Sequence, residues 1–287
     1  MIKPVFFGVK WNALLLVVSF GLSGCSLFGD DELQVDTNSG EQQMYRQAQR
    51  YIDTSNFDLA ISALMQLESR YPFGKYAEQA QLELIYAHHG AYQNEAAIEA
   101  ADRFIRLHPQ HPSVDYAFYM KGVAAYDLNK NFLASLIPSD DSKRDVTGVR
   151  EAFGEFSQLL NRYPSSRYAQ DARARMVYIR NMLARHEIHV ANYYFKRGAY
   201  MAALKRGQNV VENMQETTAV ADGLAVMAQA YTLLDMSSLA SDVVRVLCLN
   251  YPQHPNLDGE CNFEGGYDLD GLERSWLNQA SFGLLDP

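Results

Sequence analysis

His186 and His189 stand three residues apart with Glu187 between them, the nearest approach in this chain to a metal-binding signature. A zinc-peptidase helix needs His-Glu-x-x-His, and the spacing here is one residue short. His108 and His111 flank Pro109, and the adjacent His88 and His89 point in different directions on a helix. All of these read as surface or interhelical histidines, so no metal site is assigned. No Gly-rich phosphate loop or GxSxG elbow is present, and no Cys-His dyad can be built from the spacings. A paired-carboxylate site needs geometry that sequence does not supply. No catalytic residue and no cofactor are therefore expected, and the chain reads as a non-enzyme. Lys and Arg number 25 against 34 Asp and Glu, a formal charge of -9. An acidic surface repels phosphate backbones, which disfavours nucleic acid as a partner. At 48% hydrophobic and 21% charged residues, the 287-residue chain is neither a disordered polymer nor a multi-span membrane protein.

The residue best placed for a covalent event is Cys25. Lys3 and Lys10 precede and flank an uncharged apolar run at 11–22. That run falls short of the roughly 20 residues needed to span a bilayer, and suits the core of a secretory signal. It ends in Leu22-Ser23-Gly24-Cys25, which resembles a bacterial lipobox, where the cysteine is acylated and the peptide is cut before it. Residues 1–24 are thus expected to be a lipoprotein signal peptide, and 25–40 a lipidated, flexible tether, polar and acidic without helical period. Several acyl chains anchor stably where one binds only marginally. Ser26 stands where an Asp resembles an inner-membrane retention signal, so the expected location is the outer membrane, facing the periplasm. Loss of the leader with its two lysines takes the formal charge from -9 to -11. Cys248 and Cys261 are the cysteines that remain, and an oxidising periplasm joins such a pair if geometry allows. The bridge would close about a dozen residues, contribute nearly 3 kcal/mol in the chain-entropy view, and pin the tail at 253–287 to what precedes it.

These residues need elements to hold them, and the elements repeat. A small residue leads, through apolar positions three to four apart, to an aromatic-Pro pair twelve residues on. Ala60 leads to Tyr71-Pro72, Ala97 to His108-Pro109, Ala152 to Tyr163-Pro164 and Ala240 to Tyr251-Pro252. Eight residues after the first three prolines comes another alanine, Ala80, Ala117 and Ala172. A weaker copy starts at Ala203, reaches Gln215 without proline, and has Gly223 eight residues further. Apolar residues at this spacing put a stripe on one helix face, and proline ends a helix because it lacks the amide hydrogen. Each copy reads as two antiparallel helices, such as 78–90 and 95–107. Starts at 60, 97, 152, 203 and 240 give short spacings near the 34 residues of a tetratricopeptide-like unit, and two long spacings. The first long spacing holds an insertion loop at 128–149, with Pro138 and a polar run; the second holds one long helix at 169–196. The fold class is all-α, an α-solenoid of about five helix pairs, with N-terminal repeats at 41–127, C-terminal repeats at 150–252 and an extension at 253–287. Residues 269–279 are read as a short terminal helix that caps the array, as end units often must.

The tracts Tyr71-Pro72-Phe73-Gly74-Lys75-Tyr76, Arg103 to Pro112 with Asp115-Tyr116, Arg150 to Pro164, and Ala191 to Tyr200 closely resemble the BamD family of tetratricopeptide lipoproteins. These belong to the outer-membrane β-barrel assembly machinery. The resemblance covers roughly 25–250; the tail with Trp276 departs from the pattern. It implies a protein that binds, positions and couples rather than one that catalyses. Its C-terminal repeats would contact the POTRA modules of the barrel insertase. Its N-terminal repeats would meet unfolded outer-membrane proteins and, where present, accessory lipoproteins of the complex.

Within that implication, Tyr71 recurs at Tyr163 and Tyr251 and so reads as a turn residue packed between repeats. Phe73 and Tyr76 have no aromatic at the equivalent turn position in every copy and are candidates for a substrate-facing patch, since aromatics supply contact area at small entropy cost. Arg197 and Arg206 are candidates for the insertase contact, because arginine is enriched at interface hot spots; the bland alternative is a pair of solvated cations. A different function class also fits a helical-repeat lipoprotein: a periplasmic scaffold that organises peptidoglycan or cell-division proteins.

Overall fold

The computed structural model describes residues 40–128, 142 and 145–264. Cys25 with its leader and tether, most of the insertion loop, and the expected terminal helix at 269–279 lie outside the described residues.

Among the described residues ten helices follow one another: α1 (Glu41–Asp53), α2 (Phe57–Arg70), α3 (Ala77–Gly90), α4 (Asn94–Leu107), α5 (Val114–Tyr126), α6 (Thr147–Arg162), α7 (Ala169–Lys196), α8 (Tyr200–Asn213), α9 (Val220–Leu233) and α10 (Ser237–Asn250). No strand occurs among the described residues, only an isolated bridge between Leu257 and Phe263. No described helix is long and apolar enough to cross a membrane. Each helix packs on its neighbours in sequence, and the weaker contacts skip one helix, α3 to α5 and α7 to α9. This is the expected all-α solenoid of five pairs.

The alanine pattern explains the spacing of the helices. Ala60, Ala97, Ala152 and Ala203, and Ala80, Ala117 and Ala172, are all without solvent exposure. A methyl group there lets successive helices approach and the larger residues beside it interlock. Between the fourth and fifth pairs Gly207 and Gly223 go further: a Cβ on Gly207 would sit 2.8 Å from the Gly223 carbonyl oxygen, so only glycine lets α8 and α9 touch there. The core is a string of clusters along the array, built in turn around Leu64, Phe104, Phe156, Phe195 and Leu247, rather than one central mass. Burying a side chain the size of Phe104 or Phe156 contributes about 3 kcal/mol.

Two kinds of turn alternate. Within four of the pairs the first helix ends in a residue of left-handed conformation, Ser55, Tyr92, Gly198 and Asp235, with φ between 55° and 69°. The next amide donates back to the last turn: Asn56 to Tyr51, Gln93 to His88, Ala199 to Tyr194 and Met236 to Tyr231, at 2.8–2.9 Å. This is the Schellman end that satisfies otherwise orphaned carbonyls. The third pair, α5 and α6, has the insertion in its place. After each pair the same turn recurs, with an aromatic-Pro dipeptide in all but the fourth: the Tyr71, His108, Tyr163, Met214 and Tyr251 amides each donate to a carbonyl four residues back, at 2.7–3.0 Å. Lys121 on α5 reaches Asp102 on α4 (2.8 Å) and Glu155 on α6 (3.0 Å), so one cation ties three successive helices.

Candidate binding surfaces

The turn from Tyr71 to Tyr76 separates the two aromatics proposed for one patch. Phe73 is 99% exposed and stands clear of the array. Tyr76 is half-buried and stacks on Tyr45 of α1, ring centroids 4.5 Å apart and nearly parallel. The Tyr76 amide donates to Glu41 at 2.7 Å, and a side chain at Gly74 would run into the same carboxylate. Tyr45 donates to Glu83 at 2.6 Å; burial, and then this carboxylate, push its phenol above the ordinary value. Tyr71 packs into the first cluster beside Tyr76. The turn is therefore clamped from below by α1 and presents one aromatic outward. Alongside it, α2, α3 and α4 form an open groove of about 670 Å³ lined by Met65, Leu84 and Ala100, with Arg103 paired to Glu68 at 2.9 Å.

The second surface lies where α6, α7 and α8 meet. Arg206 donates to Glu187 at 3.0 Å, and Arg150 from α6 stands 3.6 Å from the other carboxylate oxygen. Glu187 itself is only 3% exposed. The hydrogen bond to Glu187 holds the Arg206 guanidinium above its ordinary value, against its partial burial. Arg206 also lies over the Tyr194 ring at 5.9 Å, and Arg197 over the neighbouring Tyr193 at 4.9 Å. The two arginines thus sit on two adjacent tyrosines of one helix end. Their situations differ: Arg197 and Tyr193 are exposed, whereas Arg206 has a buried partner.

The histidines beside Glu187 have a structural task. His186 Nδ1 is 2.8 Å from the Ser142 carbonyl and His189 Nε2 is 3.1 Å from its hydroxyl, with Ser142 buried against α7. They pin one point of the insertion to the long helix. Arg150, Ser142 and Tyr193 were not singled out as site residues in the sequence, and Glu187 was noted only as the residue between two histidines. The available signal was Glu187 itself, a charge on the apolar stripe that runs through Ala184, Ile188, Ala191 and Phe195. Cys248 and Cys261 are joined in a disulfide, Cα atoms 5.8 Å apart.

The family model described as an outer membrane lipoprotein, YfiO, matches residues 37–247. The outer membrane protein assembly factor BamD of Neisseria meningitidis serogroup B is 41% identical over 248 residues, 85% of this chain and 93% of its own. The chain belongs to the BamD family. Other BamD relatives are the Vibrio cholerae protein, 35% identical over 84% of this chain and 99% of its own, and the Xylella fastidiosa Temecula1 protein, 32% identical over 90% and 88%. Among solved structures, a tetratricopeptide repeat protein from Parabacteroides merdae is similar with a TM-score of 0.36 and 11% identity, over 75% of this chain and 68% of its own.

Proposed function

We propose that this protein is a non-catalytic outer-membrane protein assembly factor. The observation that carries the proposal is similarity over nearly the full length of both chains to BamD proteins, which are described as assembly factors. In this reading lipid on Cys25 holds the protein to the outer membrane, facing the periplasm. The C-terminal repeats at 150–252 bind the POTRA modules of the barrel insertase, with Arg197 and Arg206 in the contact. The exposed Arg197–Tyr193 pair supports that assignment, because a cation on an aromatic face offers charge and apolar area together. The N-terminal repeats at 41–127 meet unfolded β-barrel proteins, with Phe73 as the outward contact and Tyr76 as the ring that sets the turn's posture. Other lipoproteins of the complex complete the assembly, and the insertion at 128–149 divides the two working halves.

The test is purification of the intact lipoprotein from membranes and identification of what accompanies it. A stoichiometric β-barrel protein carrying POTRA modules is expected. Recovery of peptidoglycan or cell-division enzymes without such a barrel would overturn the proposal in favour of an envelope scaffold. Arg197→Glu is expected to loosen the barrel contact while leaving the fold intact.

A further inference from the structure

The turns after the first three pairs lie side by side. Glu41, at the start of α1, accepts the Tyr76 amide of the first turn at 2.7 Å. Glu78, at the start of α3, stands 3.3 Å from His108 and 3.4 Å from His111 of the second. Asp115, at the start of α5, accepts the Ser166 hydroxyl of the third at 2.6 Å. One acid of each pair thus reaches the turn that follows that pair, and the three turns form one edge of the array together with the start of α1. Those acids are engaged in closing the edge, whereas its cations point away from it. Arg70 and Lys75 at the first turn, Arg106 at the second, and Arg162 and Arg167 at the third are all exposed. None has a carboxylate within ion-pair distance among the described residues. Lys75 lies 5.5 Å from the Tyr76 ring, Arg162 5.2 Å from Phe118 and Arg167 5.1 Å from Tyr168, so aromatic faces hold three of the charges in place. Arg70, Arg106 and Arg162 also close their helices, where the macrodipole favours a cation; Lys75 and Arg167 lie in the turns and lack that reason to be basic.

We infer that this edge is a docking surface for an anionic lipid bilayer, and that it lays the first three pairs against the headgroups. Two observations choose the partner. The first is charge. An acidic chain keeps five unpaired cations together here, and within a Debye length of about 8 Å these, not the net charge, set the field that a membrane meets. The opposite edge, at the turns inside the first two pairs, exposes Asp53, Asp58 and Glu95 against Arg50, so an anionic surface attracts one edge and repels the other. Farther along, the sign of the turns reverses: 212–219 holds Glu212 and Glu216, 251–264 holds Asp258, Glu260 and Glu264, and neither stretch has a Lys or Arg. The second observation is where the chain enters. Glu41 belongs to this edge and comes 16 residues after Cys25, so the cations lie on the turns nearest the expected lipid. A basic patch is the second signal that turns acyl attachment into a fixed posture. Leu107, 60% exposed beside Arg106, adds an apolar tip at the same level. The inference deepens the proposed function and rests on its lipid anchor for the choice of partner.

The test is co-sedimentation of the chain, freed of its leader and left unlipidated by Cys25→Ser, with vesicles of phosphatidylglycerol and phosphatidylcholine or of phosphatidylcholine alone. Binding to the anionic vesicles is expected, with at least tenfold weaker binding to the neutral ones and a steep fall as salt rises. Arg70→Glu with Lys75→Glu, and separately Arg162→Glu with Arg167→Glu, should each lower partitioning onto anionic vesicles about tenfold, with far-ultraviolet circular dichroism unchanged. Arg50→Glu with Arg245→Glu makes the same change in net charge at exposed positions off this edge and should lower it less than twofold. Equal binding to both kinds of vesicle, or binding to neither, would overturn the inference. So would a loss off the edge as large as the loss on it, or anionic binding that survives both edge pairs. Lipid on Cys25 takes no part in the measurement, so failure here leaves the anchored assembly factor standing, and purification of the lipidated protein tests that reading separately.

Discussion

The turn at 71–76, with Phe73 and Lys75 exposed, and the crossing of α6, α7 and α8, with Tyr193 and Arg197 exposed, each present an aromatic and a cation to solvent, yet they are built in opposite ways. At the turn the positioning groups, Glu41 and Tyr45, lie beneath, and the presented residue, Phe73, bears no structural load. At the crossing Arg206 does both: it faces outward and neutralises a buried carboxylate. A substitution can therefore separate contact from fold at Phe73 and Arg197, but not at Arg206. Loss of function on Arg206→Glu alone would say little about a partner, since two carboxylates would then share one buried site.

The largest effect should come from Arg206→Ala, which leaves Glu187 buried with Arg150 as its charged partner, at 3.6 Å. Stability in urea should fall by about 2–3 kcal/mol, with Arg206→Lys recovering part. A value close to the parent's would erase the contrast between the two surfaces. Next, Ser142→Ala removes a buried hydroxyl from His189 and should cost about 1–2 kcal/mol, seen as a lower melting temperature with the same circular dichroism. On the other surface, Tyr45→Phe removes the hydrogen bond to Glu83 and keeps the stack on Tyr76. About 1 kcal/mol should be lost, and a larger loss would mean the turn depends on that carboxylate more than on the stack. The smallest change in stability, within about 0.5 kcal/mol, belongs to Phe73→Ser. Under the proposed function the same variant should weaken crosslinking to unfolded barrel proteins. Unaltered crosslinking would remove Phe73 from the substrate surface.

What could be read in the sequence was whatever depends on local sterics. Alanines at helix crossings and proline after an aromatic act within a few residues of themselves, so the five pairs and the long helix α7 were legible. The Schellman turns were not, because Ser55, Tyr92 and Asp235 adopt a conformation usually left to glycine, and only Gly198 carries its expected sign. The Glu187 site was hidden for another reason. Its partners come from α6 and α8, one 37 residues before it and one 19 after, and no spacing rule joins them. His186 and His189 drew attention as metal-like residues, while their actual partner, Ser142, sits 44 and 47 residues away in a stretch without periodicity. Phe73 was singled out because it does not recur in the other turns, and its exposure follows from that: a residue without an equivalent has no place reserved in the repeated packing.

The helices touch almost entirely in chain order, α1 to α2, α2 to α3 and so on to α10. A tension applied between the first helix and the last would thus be borne in series, each junction yielding in proportion to its own weakness. Lys121, which bridges α4 to α6, the Tyr45–Glu83 bond from α1 to α3, the Tyr119–Asp171 bond from α5 to α7, and the α3–α5 and α7–α9 contacts work in parallel with that line. If one end is tied to a membrane and the other to a moving partner, the molecule is a graded spring, stiffest beside those links.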